Sequence, residues 1–251
     1  MPSRKRAYPF VSAGDADIAR TAAIFADPAR AAMLTTLLDG QPHAISELAR
    51  CADIALSTAS EHVARLRSIG YVETQRRGRM NLVLLVQHDV VTAMEAIARI
   101  APRVPVSSLR GDERRRSLER ARLCYDHLAG ELGVELFASL TRQGALRTIA
   151  IPKNSRKVHA GLGAVTLGPR AKCTFKALDI DLDEVRCSHR QFATACVDWT
   201  HGRPHLAGAL GSSLRDRFER TRWVERTHET RALRITPAGR RALARLFAID
   251  L

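Results

Sequence analysis

The stretch ISELARCADIALSTASEHVARLRSIGYVETQRRGRMNLVLL, residues 45–85, decides how the N-terminal part of the chain folds. Its first apolar positions, Ile45 and Leu48, place one face of a short helix inward. The segment ADIALS then makes a turn, Ser57 is predicted to cap a second helix, and Gly70 to close it with left-handed backbone. Two short helices joined by a tight turn form a helix-turn-helix.

A β-hairpin is predicted directly after these helices. The segment YVETQRRGRMNLVLLV, residues 71–86, has apolar, β-prone flanks around the tip RRGR. Upstream of both features, Asp27 and Pro28 predict a helix start, with a side-chain cap followed by proline in the first turn. Arginines at a hairpin tip are either a solvated turn or a wing that contacts phosphates or the minor groove, and the adjacent helix-turn-helix favours the wing.

In this order, the elements of residues 15–100 resemble ArsR/SmtB-type winged helix-turn-helix transcriptional repressors. The resemblance implies a homodimer, joined through the first helix and the helix HDVVTAMEAIARI, that binds a double-stranded DNA operator. It also implies that the second helix of the helix-turn-helix enters the major groove. The residues expected to contact DNA are Ser57, Thr58, Ser60, Glu61, His62 and Arg65 on that helix, and Arg76, Arg77 and Arg79 in the wing.

Two sensor sites that are usual among such repressors are missing from this sequence. The metal-ligating cysteines that some relatives carry on the first helix of the helix-turn-helix align with Ala44 and Ser46. On the predicted dimer helix, His88 and Asp89 have no suitable ligands one helix-length further on. Cys51 is interpreted as a buried core residue. Any sensing must therefore use another part of the chain.

The bulk composition narrows the class of protein. The 251 residues carry a formal net charge of +14, most of it after residue 101, which favours a polyanionic partner. The sequence contains no apolar run of the roughly 18–20 residues that span a bilayer, and its start lacks the apolar region of a signal peptide. We therefore expect a cytoplasmic protein without a membrane partner, in which the 5 cysteines serve as ligands, sensors or core residues.

A phrase of the form His-Leu-Ala-Gly-x-Leu-Gly occurs twice, once from His127 and once from His205. Similar segments follow both copies in the same order, so we infer a tandem duplication with units at about 118–182 and 189–251. Each unit is expected to contain a helix, a short hairpin and a helix. The predicted fold is mainly α with small β-hairpin wings, the C-terminal region being duplicated, degenerate and winged-helix-like.

Three regions follow from this organisation. Residues 1–101 are predicted to form the winged helix DNA-binding and dimerisation domain, residues 102–117 a linker, and residues 118–251 an effector or sensor region. The role of the basic segment 147–164 is left open between a solvated loop and a contact with DNA phosphates or an anionic effector.

A cysteine precedes each copy of the repeated phrase. One continuous helix is predicted through ERRRSLERARLCYDHLAGELGVELFASLTRQG, so that Cys124 and His127 share one helix face. If the two units pack pseudo-symmetrically, Cys196 and His205 face this pair, and two thiolates with two imidazoles suit zinc or another thiophilic metal or metalloid ion. Five further candidates rank below these four: Asp126, Asp198, Cys187, His189 and His201.

The residues alone leave three interpretations of this cluster open. It is a metal or metalloid site, an ordinary core in which Gly and Ala permit close helix packing, or a redox or organic-ligand sensor that uses one cysteine. Cys173 is interpreted as a core residue. The predicted function is a sequence-specific DNA-binding regulator, a repressor, controlled by an effector bound in the C-terminal region. The rival is a protein that coats DNA without specificity; the sequence has no catalytic motif, so we do not expect an enzyme.

Overall fold

The computed structural model describes residues 16–78, 80–86, 88–102, 105, 108–149, 164–188, 190–227 and 231–251. These residues form two compact units. The first unit comprises the described part of residues 1–36 together with residues 42–86, and the second comprises residues 37–41 together with the described part of 87–251. Within the described ranges, no helix combines the length and the apolar character needed to cross a bilayer.

The first unit contains four helices and a three-stranded sheet in its described part. In chain order the elements are α1 (Ile18–Phe25), α2 (Pro28–Leu37), β1 (His43–Ala44), α3 (Ile45–Ala52), α4 (Leu56–Ser68), β2 (Val72–Arg77) and β3 (Met80–Leu85). The sheet is antiparallel with the order β1–β3–β2, and β2 and β3 pair along their whole length. The structure confirms the winged helix-turn-helix predicted from residues 45–85.

Local sequence explains most of the boundaries in this unit. The carboxylate of Asp27 accepts a hydrogen bond from the backbone N–H of Arg30 at 2.9 Å, which confirms the cap at the start of α2. Gly70 has a φ of +74°, which is the left-handed backbone predicted for the end of α4. The predicted cap at Ser57 is wrong, because α4 begins at Leu56 after Ala55, whose side chain makes no capping hydrogen bond.

The second unit opens with two helices, α5 (His88–Ile100) and α6 (Leu109–Arg120), the latter lying partly within the predicted linker. The following elements are β4 (Arg122–Cys124), β5 (His127–Ala129), α7 (Gly130–Arg142), β6 (Leu146–Ile149), β7 (Ala164–Leu167), α8 (Ala171–Ala177), α9 (Leu182–Arg186), β8 (Thr194–Val197), β9 (Pro204–Ala207), α10 (Gly208–Arg220), β10 (Val224–Arg226), β11 (Leu233–Ile235) and α11 (Pro237–Phe247).

The element order hairpin, helix, hairpin, helix occurs twice in this unit. It runs from β4 to α8 and again from β8 to α11, with α9 between the two runs. The two runs share one hydrophobic core, to which α7 contributes Leu132 and Phe137 and α10 contributes Leu210 and Phe218. Helix α7 packs against β9, and α10 packs against β5, so each run places its first helix on a strand of the other.

The single helix predicted through Cys124 and His127 is wrong, because this segment forms the hairpin of β4 and β5. All six residues of the two strands are buried. A strand that is buried on both faces shows no alternation of apolar and polar residues, and its apolar run cannot be told from part of a helix by periodicity. The repeated phrase therefore spans the end of a hairpin and the start of a helix.

The first glycine of the repeated phrase forms a left-handed turn between strand and helix. Gly130 and Gly208 have φ values of +74° and +79°. A Cβ atom would lie 2.8 Å from the carbonyl oxygen of Glu119 at the first position, and 2.7 Å from that of Gln191 at the second. Both the backbone conformation and the lack of space exclude a larger residue.

Replacing Gly130 with alanine tests this explanation. Gly130→Ala is expected to lower the free energy of unfolding by about 2–5 kcal/mol, because left-handed backbone strain adds to a steric clash. Gly202→Ala is the matched control, since Gly202 has a φ of +64° and no atom within 4 Å of the added Cβ. The control should lose only about 1–2 kcal/mol in chemical denaturation. Equal losses in the two variants would contradict the role given to the close approach.

Candidate functional site

The DNA-facing residues predicted on α4 and the wing are mostly exposed. Ser57, Ser60, Glu61 and Arg65 are exposed on α4, Thr58 is half-buried there, and Arg76 and Arg77 are exposed on β2. Arg79 lies outside the described residues. Six of these side chains are thus free of the core of the first unit, as a surface that contacts DNA requires.

His62 differs from its neighbours on α4, because its side chain is only 16% exposed. Its Nδ1 lies 3.3 Å from Nη1 of Arg30, a buried arginine that also donates to the carbonyl oxygens of Ala23 and Ile24. The Nε2 atom of His62 lies 3.9 Å from Asp27. The imidazole therefore takes part in joining α4 to the segment between α1 and α2.

The predicted Cys and His ligands lie on two β-hairpins of the second unit. In the first hairpin, Cys124 of β4 stands directly opposite His127 of β5. In the second, Cys196 of β8 stands directly opposite His205 of β9. Directly opposed residues of an antiparallel pair project from the same face of the sheet. Each hairpin thus presents one thiol and one imidazole side by side. The sequence had predicted that Cys124 and His127 are neighbours, but on the face of a helix.

The two hairpins bring these four side chains together. The rings of His127 and His205 stack with centroids 5.0 Å apart, and their Nε2 atoms are separated by 3.1 Å. One ligand atom from each of Cys124, His127, Cys196 and His205 lies within 4.8 Å of all the others. Three of the residues are buried and Cys196 is half-buried. Solvent can therefore approach the cluster beside Cys196.

The second glycine of each repeated phrase lies against the histidine of the other hairpin. A Cβ atom at Gly133 would lie 3.4 Å from Cβ of His205, and one at Gly211 would lie 3.3 Å from Cβ of His127. Both would also clash with the carbonyl oxygen at the end of the preceding strand, at 2.3 Å and 2.6 Å respectively. These glycines permit each helix to lie close to its own strand and to the opposite histidine.

A carboxylate orients the first imidazole. Oδ1 of Asp126 lies 3.1 Å from Nδ1 of His127, and Arg190 forms an ion pair with Oδ2 at 2.5 Å. Burial by itself raises the pKa of Asp126, but the hydrogen bond from His127 and the contact with Arg190 lower it to about 2. Burial lowers the pKa of His127, whereas Cys124 and Asp126 outweigh burial and raise it to about 9. With Nδ1 turned to Asp126, Nε2 of His127 points into the cluster.

A second carboxylate lies behind the other imidazole. Oδ2 of Asp198 is 4.0 Å from Nδ1 of His205, which has no hydrogen-bond partner among the described residues. The same oxygen accepts hydrogen bonds from Arg122 at 2.8 Å and from the backbone N–H of Gly130 at 2.7 Å. Burial raises the pKa of Asp198, but Arg122, Thr200 and His205 hold it below its usual range.

The two thiols are neighbours within the cluster. Cys124 is fully buried, and a hydrogen bond with Cys196 together with this burial raises the pKa of its thiol above the usual range. A thiol in such surroundings is a poor nucleophile without a cation to stabilise the thiolate. The donor set of two sulfurs and two imidazole nitrogens is the one that zinc and other thiophilic ions prefer.

The spacing of the donor atoms is close to that of a tetrahedral site. Zinc–nitrogen and zinc–sulfur bonds of about 2.0–2.3 Å place the ligand atoms of a regular tetrahedron about 3.3–3.8 Å apart. The two Nε2 atoms, at 3.1 Å, and the limit of 4.8 Å for all pairs differ from this range by about 1 Å at most. The imidazole–carboxylate pair of His127 and Asp126 adds the outer contact that usually orients a histidine ligand. The cluster therefore fits such an ion.

The lower-ranked candidates do not supply ligand atoms to the four-residue cluster. Asp126 and Asp198 lie behind the histidines, Cys187 is exposed, and His201 contacts Asp198 with its Nδ1 at 3.3 Å. His189 lies outside the described residues. The core interpretation of two other cysteines is wrong, because Cys51 and Cys173 are both exposed. Each lies on the solvent side of a short helix.

Sequence reasoning missed two buried charged residues near the cluster, Arg122 and Glu95. The side chain of Arg122 is 0% exposed and lies over the ring of Trp199, and Glu95 on α5 is 3% exposed. The signal for Glu95 was its position one turn after the buried Val91. Arg122 gave a weaker signal, as an arginine at the start of an otherwise apolar strand.

One family model and several solved structures are similar to part of the chain. Residues 25–75 match the family model of a helix-turn-helix domain. Among solved structures, the chain is 28% identical to the cadmium metal-sensor CMTR from Mycobacterium tuberculosis, over 36% of this chain and 93% of that one, with a TM-score of 0.29. It is 26% identical to the homodimeric winged helix-turn-helix domain of Mb0332 from Mycobacterium bovis, over 34% of this chain and 86% of that one, also with a TM-score of 0.29.

A relative that matches nearly the whole chain is the uncharacterized HTH-type transcriptional regulator YdfF of Bacillus subtilis (strain 168). It is 35% identical over 224 residues, which are 89% of this chain and 94% of YdfF. This match and the helix-turn-helix domain confirm the regulator predicted from the sequence, in agreement with its resemblance to ArsR/SmtB-type repressors. The chain belongs to the family of HTH-type transcriptional regulators that includes YdfF.

Proposed function

We propose that this regulator is a homodimeric repressor whose binding to a DNA operator is controlled by a thiophilic metal ion. The ion, with zinc as the reference case, binds to the Cys124, His127, Cys196 and His205 side chains, which we call the Cys2His2 site. The observation that carries the proposal is the convergence of these four donors within 4.8 Å at the contact of two hairpins. When bound, the ion supplies a positive charge that stabilises both thiolates.

The burial of the site argues for a ligand. Two imidazoles with facing Nε2 atoms, two thiols and two carboxylates are costly to remove from water unless each polar atom has a partner. Nδ1 of His205 has none among the described residues. An ion that takes Nε2 of both histidines leaves both Nδ1 atoms as donors, one to Asp126 and the other facing Asp198.

Exposed apolar side chains support the proposed homodimer. Ile18 on α1 is 74% exposed, and Ile97 and Ile100 on α5 are 41% and 83% exposed. These are the two helices through which the family resemblance places the dimer interface. A second copy of the chain would cover these side chains, and apolar surface of this kind favours association.

The operator-binding residues are those exposed on α4 and on the wing. Ser57, Ser60 and Arg65 offer hydroxyl and guanidinium donors to phosphates and base edges, and Arg76 and Arg77 offer positive charge on the wing. Ion binding shifts the dimer between two geometries, of which one spans adjacent major grooves. Differential binding of a few kcal/mol is sufficient for such a shift.

A redox-responsive regulator is the second candidate, favoured by the closeness of the two thiols, because the sulfur atoms of Cys124 and Cys196 lie within 4.8 Å of each other. Hydrogen peroxide would take two electrons and two protons from the two thiols and leave a disulfide and two molecules of water. The two candidate functions differ in the side chains that they need, because only control by a metal ion requires the histidines. His127→Ala would abolish an ion-dependent response and leave a disulfide response intact.

Metal content tests the Cys2His2 site directly. Protein purified without added metal and then loaded with zinc should hold one ion per chain, and zinc at about 100 times its dissociation constant should raise the free energy of unfolding by about 2.7 kcal/mol. A Cys124→Ser/Cys196→Ser variant should hold none and gain no stability. Elemental analysis and thermal unfolding provide the two measurements.

The matched control replaces the two exposed cysteines instead. Cys51→Ser/Cys173→Ser removes the same number of thiols from outside the site and should bind zinc as the unmodified chain does. Loss of the ion in this control, or its retention when Cys124 and Cys196 are both replaced, would contradict the proposed site.

The wing can be tested by the salt dependence of DNA binding. Arg76→Ala/Arg77→Ala should weaken binding to a duplex selected from random sequence and reduce the slope of log affinity against log salt by about 2, because two phosphate contacts are lost. Arg241→Ala, an exposed arginine on α11, serves as the control. Fluorescence anisotropy against the selected and a scrambled duplex gives the affinities. Equal affinity for both duplexes would instead indicate a protein that coats DNA.

A further inference from the structure

A buried chain of charged groups leads from the Cys2His2 site to helix α5. Asp198 lies 4.0 Å from the site ligand His205, and its Oδ2 accepts a hydrogen bond from Nη2 of Arg122 at 2.8 Å. The same Nη2 lies 3.7 Å from Oε2 of Glu95, which belongs to α5. Oε1 of Glu95 accepts a hydrogen bond from Arg231 at 2.9 Å. The side chains of Asp198 and Arg122 are 0% exposed and that of Glu95 is 3% exposed.

We propose that the buried chain Asp198–Arg122–Glu95 couples ion binding at the Cys2His2 site to helix α5, and through α5 to the DNA-binding surface. The inference rests on the proposed metal control and identifies how that control is transmitted. Helix α5 begins three residues after β3, the second strand of the wing, so a shift of this helix acts on the segment that ends the winged helix.

The chain is incomplete at both ends, which gives it two alternative arrangements. Nδ1 of His205 and Oε2 of Glu95 are both buried, and neither has a hydrogen-bond partner among the described residues. Arg122 lies between them, hydrogen-bonded to Asp198 and in longer-range ion pairing with Glu95. A buried polar atom without a hydrogen-bond partner is unfavourable, so a rearrangement that satisfies either atom is favoured.

Ligation by His205 selects between the two arrangements. A histidine that ligates through Nε2 carries its proton on Nδ1, and His205 then has a donor facing Asp198. When Oδ2 of Asp198 accepts this hydrogen bond from His205, it is shared among more donors, and its hydrogen bond with Arg122 weakens. The guanidinium of Arg122 is then free to donate to Glu95. The unpartnered oxygen of Glu95 thereby gains a hydrogen bond, and α5 is held more firmly.

Contacts of Nη1 and of the guanidinium face hold Arg122 in place, whereas its Nε has no hydrogen-bond partner among the described residues, so Nη2 is the contact that can be exchanged. Nη1 donates to the carbonyl oxygen of Leu118 and to Thr200, each at 3.2 Å, and Cζ lies 5.1 Å from the ring centre of Trp199. A guanidinium held on one side redistributes the hydrogen bonds of its other side without leaving its place. Asp198 and Glu95 therefore compete for one donor.

Glu95→Gln tests the coupling, because glutamine keeps the shape of the side chain and removes its charge. The ratio of DNA affinities with and without zinc is measured with the selected duplex. If the unmodified chain shows a ratio of about 5–150, as is typical of allosteric pairs, Glu95→Gln should reduce it to below about 3. Zinc should still bind at the Cys2His2 site, since Glu95 is not a ligand.

Two further variants make the result decisive. Glu95→Asp keeps the charge but withdraws the carboxylate from Arg122, and should lower the ratio to an intermediate value. Glu135→Gln breaks an exposed ion pair, 2.7 Å long, between Glu135 and Arg203 in the loop that joins β8 and β9, and should leave the ratio unchanged. Zinc binding by each variant shows that the second unit has folded.

Hydrogen exchange supplies a readout that is independent of DNA. Zinc should slow amide exchange in residues 88–100 of the unmodified chain and of Glu135→Gln, but not of Glu95→Gln. Zinc binding with an unchanged affinity ratio and unchanged protection in Glu95→Gln would overturn the coupling and leave the Cys2His2 site standing. Failure of the unmodified chain to bind zinc would overturn the proposed function and the coupling with it.

Discussion

The contact between the hairpins β4–β5 and β8–β9 is the interaction on which the second unit depends. His127 and His205 meet there at 3.1 Å, and the helix after each hairpin packs on a strand of the other. Because the two helices pack reciprocally, the two runs of elements build one shared core. The four donors converge as a consequence of the same packing that builds the core, so the site needs no separate scaffold.

Each part of the repeated phrase His-Leu-Ala-Gly-x-Leu-Gly has a role in this arrangement. Its histidine belongs to the proposed Cys2His2 site, and its leucines enter the core. Its first glycine makes the left-handed turn from strand to helix, and its second glycine lets the helix approach the opposite histidine. A tandem duplication, which we propose as the origin of the two copies, would place two such phrases in one chain. Their pseudo-symmetric pairing then produces a site with one cysteine and one histidine from each copy.

The sequence predicted the winged helix-turn-helix because the Gly70 cap, the turn and the apolar spacing in residues 45–85 are local signals that agree with one another, and the wrong cap at Ser57 moved only one boundary. It also singled out Cys124, His127, Cys196 and His205, since composition and repetition are visible without structure. The hairpins that hold these residues were missed, because strands such as Arg122–Cys124 are buried on both faces and carry no alternating pattern. Glu95 and Arg122 were missed for another reason: they meet only in the folded chain, 27 positions apart in sequence.

In the proposed site, one ion is ligated by two sulfurs and two nitrogens drawn equally from the two hairpins. X-ray absorption at the zinc edge, on the loaded full chain, measures the number and type of ligand atoms. We expect two sulfurs at about 2.3 Å and two nitrogens at about 2.0 Å, with one sulfur remaining after Cys196→Ser. Zinc bound by oxygen and nitrogen without sulfur, or zinc ligands that Cys196→Ser leaves unchanged, would contradict the proposed Cys2His2 site.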